Sequence, residues 1–168
     1  PTAEGFGSLH GLRVIEIATS VAGPVAGSLL GDLGAEVIKV ERVGSGDDTR
    51  TWNPPAWNGV STAFLMLNRN KSSIELDWTE PRGKQILEEL IRSADIVVQN
   101  LRPGALAKAG FTWERLQELS PRLVYCEMTG FGPVGPRADE PAYDPMLQAY
   151  AGIVAMTRPG SASVMTIP

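Results

Sequence analysis

The sequence predicts an α/β domain with a mainly parallel sheet, and three observations carry that expectation. Two runs rich in β-branched residues, RVIEIA at 13–18 and EVIKVE at 36–41, flank a stretch with helical spacing. That is a βαβ unit, whose crossover is right-handed by default. The alternation then resumes, with the amphipathic TEPRGKQILEELIRSA running into DIVVQN. Strands alternating with helices in this way assemble into a parallel sheet covered on both faces.

The elements follow in order. RVIEIA is a strand because alternation and β-branching both suit a pleated, half-buried surface. In TSVAGPVAGSLLGDLGAE a helix is expected: Pro24 suits a first turn, Leu29, Leu30 and Leu33 recur at helical spacing, and Gly34 ends it. Gly23 and Gly27 have the small-residue spacing of a closely packed helix. After the second strand, RVGSGDDTRTWNPPAWNG at 42–59 reads as a long loop, and loops of such length in compact domains are usually functional or mobile. AFLMLN is a short apolar segment, and NRNKSSIELD a turn and then a strand. TEPRGKQILEELIRSA has an acidic first turn, Pro81 near its start and Ile86, Leu87, Leu90 and Ile91 on one face, which defines a helix. DIVVQN is a short buried strand, LRPGALAKAGF a turn and short helix, and TWERLQEL a helix capped by Thr112. PRLVYCEMT is a strand, GFGPVGPRADEPA a loop, and YDPMLQAYAGIVAMT one helix carried by Met146, Leu147, Tyr150, Ile153 and Val154.

Composition narrows the function. The 168 residues, 43% hydrophobic, form one domain-sized unit, and a chain of this size buries roughly 70% of its extended surface on folding. Cys126 alone cannot build a disulfide framework, and with only His10 beside it neither a thiolate nor a histidine metal cluster is expected. That usage fits a reducing, cytoplasmic setting. No apolar run approaches the roughly 20 residues of a membrane span, and PTAEGFGSLHGLR lacks the core of a signal peptide. A net charge of −4 disfavours non-specific nucleic-acid binding. Ten of the fifteen basic residues nevertheless fall between positions 39 and 108, which suggests a phosphate-bearing ligand as well as ordinary surface charge.

Ligands of open parallel sheets bind at the carboxyl ends of the strands, so the loops from Thr19, Arg42, Asn100 and Thr129 should share one edge. The first βα turn, ATSVAGPVAGSLLG, lacks G-x-G-x-x-G, which speaks against a nicotinamide cofactor. In such a protein Glu41 would hold ribose hydroxyls; Arg42 beside it suits a phosphate, which a guanidinium binds bidentately. A hydrolase triad cannot be assembled, because His10 precedes the first strand and no G-x-S-x-G elbow exists. Cys126 reads as a core residue, Asp47, Asp48, Asp139 and Glu140 as solvated or turn-forming, and Asp144 as a partner of its helix dipole.

The strings GAEVIKVE with RVGSGDDTR, NKSSIELD, NLRPGAL, GFTWERL and YDPMLQAYAG, in this order, resemble the N-terminal part of class III CoA-transferases, the family of formyl-CoA transferase, carnitine CoA-transferase and α-methylacyl-CoA racemase. The likeness runs from Leu9 to Ala155. It implies a Rossmann-like α/β fold, the N-terminal portion of an interlocked-ring homodimer, with coenzyme A or acyl-CoA as substrate, a carboxylate acceptor and no metal. Carried over by position, Arg42 would meet the adenine nucleotide, with Lys71 and Leu76 nearby. Asn100, Leu101 and Lys108 would line the pantetheine or phosphate path, Thr129, Gly130 and Phe131 would border the thioester, and Ala22 would approach the acyl group. The family's nucleophile is an aspartate, attacked thioesters passing through an anhydride and an aspartyl-CoA thioester. By the resemblance that aspartate lies beyond Pro168, so residues 1–168 would be the CoA-binding segment of a longer protein, inactive alone, without the small domain and the C-terminal return.

Two other readings stand beside transfer. The racemase branch carries a histidine where Tyr143 stands here, which favours transferase over racemase. A non-catalytic CoA-binding or assembly module is the other, because no aspartate within the chain takes the nucleophile's place.

Overall fold

The computed structural model describes residues 7–156. The chain divides into two compact units, one ending at Met128 and one beginning at Thr129. In the first, a five-stranded sheet has the order β5-β2-β1-β6-β7, made from β1 (Arg13–Ile17), β2 (Glu36–Glu41), β5 (Lys71–Glu75), β6 (Ile96–Gln99) and β7 (Val124–Glu127). Every pairing in it is parallel. The α/β class with helices on the sheet is therefore as the sequence implies.

β1 sits in the middle, so Val14, Ile15, Glu16 and Ile17 are all fully buried. Alternation sends its side chains to opposite faces. Ile15 and Ile17 join Val40, Val97, Leu87, Ile91, Leu116 and Phe111 in the larger core, supplied by α3 (Pro81–Arg92) and α5 (Trp113–Leu119). Burying Leu87 or Ile91 contributes about 1.5–3 kcal/mol each. Val14, Val37 and Val98 form a smaller core on the other face, against Ala26 and Leu30 of α1 (Ala22–Asp32).

Several elements depart from the sequence reading. α1 buries Gly23, Pro24, Gly27 and Ser28, and leaves Leu29 and Leu33 about half exposed. The small residues bring its backbone down onto the sheet: a Cβ at Gly27 would stand 1.8 Å from Glu16 Oε2, and one at Gly23 would stand 2.2 Å from the Ala18 Cβ. Leu29 and Leu33 thus face outward, while Leu30 packs against the smaller core. The long loop after β2 contains a 3₁₀ turn (Asp48–Thr51) and a small hairpin of β3 (Ala56–Trp57) and β4 (Val60–Ser61). AFLMLN folds as α2 (Thr62–Leu67), capped by the Ser61 hydroxyl, which accepts from Phe64 N–H at 3.4 Å.

LRPGALAKAGF supplies α4 (Ala105–Lys108). Cys126, expected in the core, is exposed: β7 lies at one end of the strand order, with β6 as its partner among the described residues. In the second unit the expected single helix is two, α6 (Asp144–Tyr150) and α7 (Ile153–Met156), broken at Gly152, whose φ of 80° a glycine adopts without steric cost. The part of the expected helix at Thr157 lies outside the described residues.

Candidate functional site

Because the sheet is parallel, the strands of the first unit deliver their C-terminal ends to one edge, and hydrogen bonds tie three of the following loops together there. After β1, Thr19 N–H donates to Asn100 Oδ1 at 2.9 Å, and Asn100 Nδ2 donates to the Thr19 carbonyl at 2.8 Å. Asn100 follows β6 directly, so its amide pins one loop to another. Ser20 N–H donates to Asp47 Oδ1 at 3.3 Å, and Thr19 Oγ1 to Asp48 Oδ2 at 3.2 Å, which adds the loop after β2. Ser20 takes a left-handed φ of 64°. Ala22, exposed, opens α1 just beyond, and no side chain caps that helix.

Beneath this edge lies a buried charge network that sequence reasoning missed. Lys39 Nζ stands 2.7 Å from Glu16 Oε1, 2.8 Å from Asp47 Oδ2 and 2.8 Å from the Ala18 carbonyl. All three charged side chains are at most 1% exposed. Burial disfavours the Asp47 carboxylate, but the Lys39 ammonium and the Thr49 donors outweigh it and hold its carboxyl below the ordinary value. Asp47 is therefore turn-forming, as expected, yet not solvated.

Glu41 forms a second network. Burial opposes its charge, and donation from Arg50, Ser73 and the Asp47 N–H overcomes that, lowering it to about 2. Arg50 reaches both of its oxygens, at 2.8 and 2.7 Å, and lies 3.8 Å from the Phe64 ring centroid. With its oxygens so engaged, Glu41 is in no position to hold a ribose. The available signal was an acid or base inside an otherwise apolar strand, since a strand covered on both faces forces any charge on it to find an internal partner.

The predicted site residues fall in different surroundings. Arg42 follows β2 at the edge, exposed and paired with Asp48. Asn100 is at the same edge, Leu101 beside it is half-buried against the main core, and its N–H donates to Gln99 Oε1 at 2.8 Å. Leu76, just after β5, is a core residue, its N–H donating to the Glu41 carbonyl at 2.9 Å. Lys108 is exposed at the end of α4. Lys71 is the exception. It begins β5 opposite Val37, at the far end of the strands from Arg42, and its ammonium is 2.8 Å from Glu16 Oε2 and donates to the carbonyls of Pro24 and Leu67. Burial pulls its pKa down against the pull of Glu16. Its ammonium is an internal cation, engaged with Glu16 and two carbonyls.

Thr129, Gly130 and Phe131 belong to the second unit. There Phe131 meets Tyr150 edge to face, with centroids 5.3 Å apart, and the Arg137 guanidinium lies 4.1 Å from Phe131 while pairing with Glu140 at 2.7 Å. Phe131, Val134, Pro136, Arg137 and Tyr150 line a cavity of about 270 Å³. No cluster of metal-ligating side chains occurs among the described residues, and none of their helices is long and apolar enough to cross a membrane.

A parallel α/β sheet whose loop edge is hydrogen-bonded into one surface, with an arginine at the end of its second strand, defines a ligand-binding domain of the doubly wound kind. Comparison with known proteins narrows this. Residues 9–167 match CoA-transferase family III, and the chain belongs to that family. It is 45% identical over 151 residues to mouse (Mus musculus) succinyl-CoA:glutarate CoA-transferase, covering 90% of this chain and 35% of the relative. It is 44% identical over 150 residues to formyl-CoA:oxalate CoA-transferase of Rhodopseudomonas palustris, covering 89% and 35%. Among solved structures, a CaiB/BaiF family protein from Brucella suis superposes with a TM-score of 0.90 at 41% identity, covering 96% of this chain and 44% of that one. The chain therefore spans about a third of the length of the curated relatives it matches.

Proposed function

We propose that this chain provides the CoA-binding part of an enzyme that moves CoA from an acyl-CoA thioester to a carboxylic acid, through an aspartyl-bound intermediate whose aspartate lies beyond Pro168. The observation that carries this reading is the edge itself. Arg42 stands exposed there, beside a β1–α1 turn clamped by Asn100. A guanidinium in that position offers a bidentate partner to a nucleotide phosphate. The exposed Lys108 adds a second cation to the same ligand, and the backbone at Leu76, Asn100 and Leu101 lines its path. Ala22 approaches the acyl group in this reading.

The names of the relatives support the class of reaction: both transfer CoA between acids, with glutarate and oxalate as acceptors. A dicarboxylate acceptor is the first to try. The working protein is an interlocked homodimer in this reading, as the family resemblance implies. Tyr143, exposed ahead of α6, stands where the racemase branch has a histidine, which favours transfer over racemisation.

Charge reversal tests the edge directly. Arg42→Glu in the full-length protein is expected to weaken CoA binding at least tenfold in a calorimetric titration, and unchanged affinity removes Arg42 from the site. Transfer itself is read by incubating the full-length protein with succinyl-CoA and glutarate, and trapping an aspartyl thioester with hydroxylamine. No exchange and no adduct with any short-chain or dicarboxylate donor would leave a CoA-binding module as the better account.

A further inference from the structure

We propose that the buried Lys39–Asp47 pair is a positioning device, which holds the β1–α1 turn in the one conformation that lets Ala22 and its neighbours meet the acyl thioester. The inference deepens the CoA-transferase reading and rests on it.

Four consecutive backbone polar groups of this turn are claimed by side chains from elsewhere. Lys39 Nζ donates to the Ala18 carbonyl at 2.8 Å. Asn100 takes the N–H and the carbonyl of Thr19, at 2.9 and 2.8 Å. Asp47 Oδ1 accepts from Ser20 N–H at 3.3 Å. The next event in the chain is a φ of 64° at Ser20, a region that residues other than glycine rarely occupy. Such a conformation persists where its surroundings over-determine it, and here three separate segments do so.

Lys39 joins two of them. Its ammonium touches the Ala18 carbonyl and Asp47 Oδ2 at once, while Glu16, one residue from the end of β1, anchors it at 2.7 Å. Asp47 in turn uses its other oxygen for the Ser20 N–H and for Thr49 N–H, at 2.8 Å, and Oγ1, at 2.6 Å. A stable sheet does not require this arrangement, because a buried ion pair is often no more stabilising than an apolar pair of similar volume. What an apolar pair cannot do is direct hydrogen bonds at two particular backbone atoms of the turn.

That difference supplies the experiment. Removing one partner leaves a lone buried charge and can unfold the protein, so the decisive variant is the double substitution Lys39→Met with Asp47→Leu, in the full-length protein. It is expected to fold, by circular dichroism, and to bind CoA within threefold of the unaltered protein. It should keep its KM for the acyl-CoA donor within threefold and lose at least tenfold in kcat. Amide exchange at Ser20 should speed up at least tenfold while Val37 and Val97 in the strands stay protected. Wild-type kcat in the double variant, or unchanged Ser20 exchange, would overturn the proposal. So would a failure of the double variant to fold, which would make the pair a requirement of the fold. If the unaltered protein transfers no CoA, the functional reading falls by itself. The exchange measurement then decides whether the pair holds the turn.

Discussion

Glu41 ends β2, where a ribose-binding acid would stand in a nicotinamide protein, and instead spends its charge on Arg50 and Ser73. Since its pKa falls from 4.5 to about 2 on folding, the stability it contributes is fully present above 4.5 and is lost as pH drops towards 2. Asp47, lowered in the same sense, adds to the acid sensitivity. Glu41→Gln should lower the Tm at neutral pH and flatten its decline in acid, as thermal melts across that range would show. Gly27 gives a sharper test, since an added Cβ has 1.8 Å to the Glu16 carboxylate, which is itself locked between two lysines. Gly27→Ala should cost about 1–3 kcal/mol, the range for overpacking, in chemical denaturation. Residues such as these were only partly legible in the sequence. Arg42 was singled out by its chemistry, but the partners of Glu16 and Lys39 depend on register: β1 and β2 set Glu16 against Lys39 as neighbours, and no local pattern reveals a pairing between strands.

Elements were more legible than residues, because each answers mainly to its own periodicity and punctuation. β2 and α5 begin and end where the pattern places them, and Thr112 caps α5 by accepting from Arg115 N–H at 3.3 Å. Thr112→Ala should cost about 1 kcal/mol. In α3 the apolar face holds as read, with Leu87 and Ile91 fully buried. Leu87→Ala should therefore cost about 2–5 kcal/mol by equilibrium unfolding, the larger figure if the cavity stays open. α1 was misread for a physical reason. Its burial follows small residues, which pack by closeness of backbone, and not the large ones that a hydrophobic pattern weighs most. The last helix was misread because one glycine inside a helical stripe does not announce whether it bends or breaks the chain.

At the scale of the whole molecule, the sheet and its loop edge follow from alternation of elements, while the functional class came from linked strings that resemble a family. Val21, Val25, Leu29 and Leu33, four apart along α1 and its two capping residues, are each more than a third exposed, as are Leu65 and Met66 on α2. An apolar stripe of this kind should bind a hydrophobic dye such as ANS in the 168-residue chain, and Leu29→Glu with Leu33→Lys should cut the fluorescence severalfold. The strand order also governs how the sheet is built in time. β1 finds β2 through the short α1 crossover, but its other neighbour arrives from far along the chain: Arg13 N–H meets Asp95 Oδ2 across 82 residues. Closing so long a loop costs more entropy than closing the first βαβ unit. The unit at 13–41 is therefore the expected nucleus and β6 the late arrival, so that Val14→Ala should slow refolding while Val97→Ala should chiefly speed unfolding.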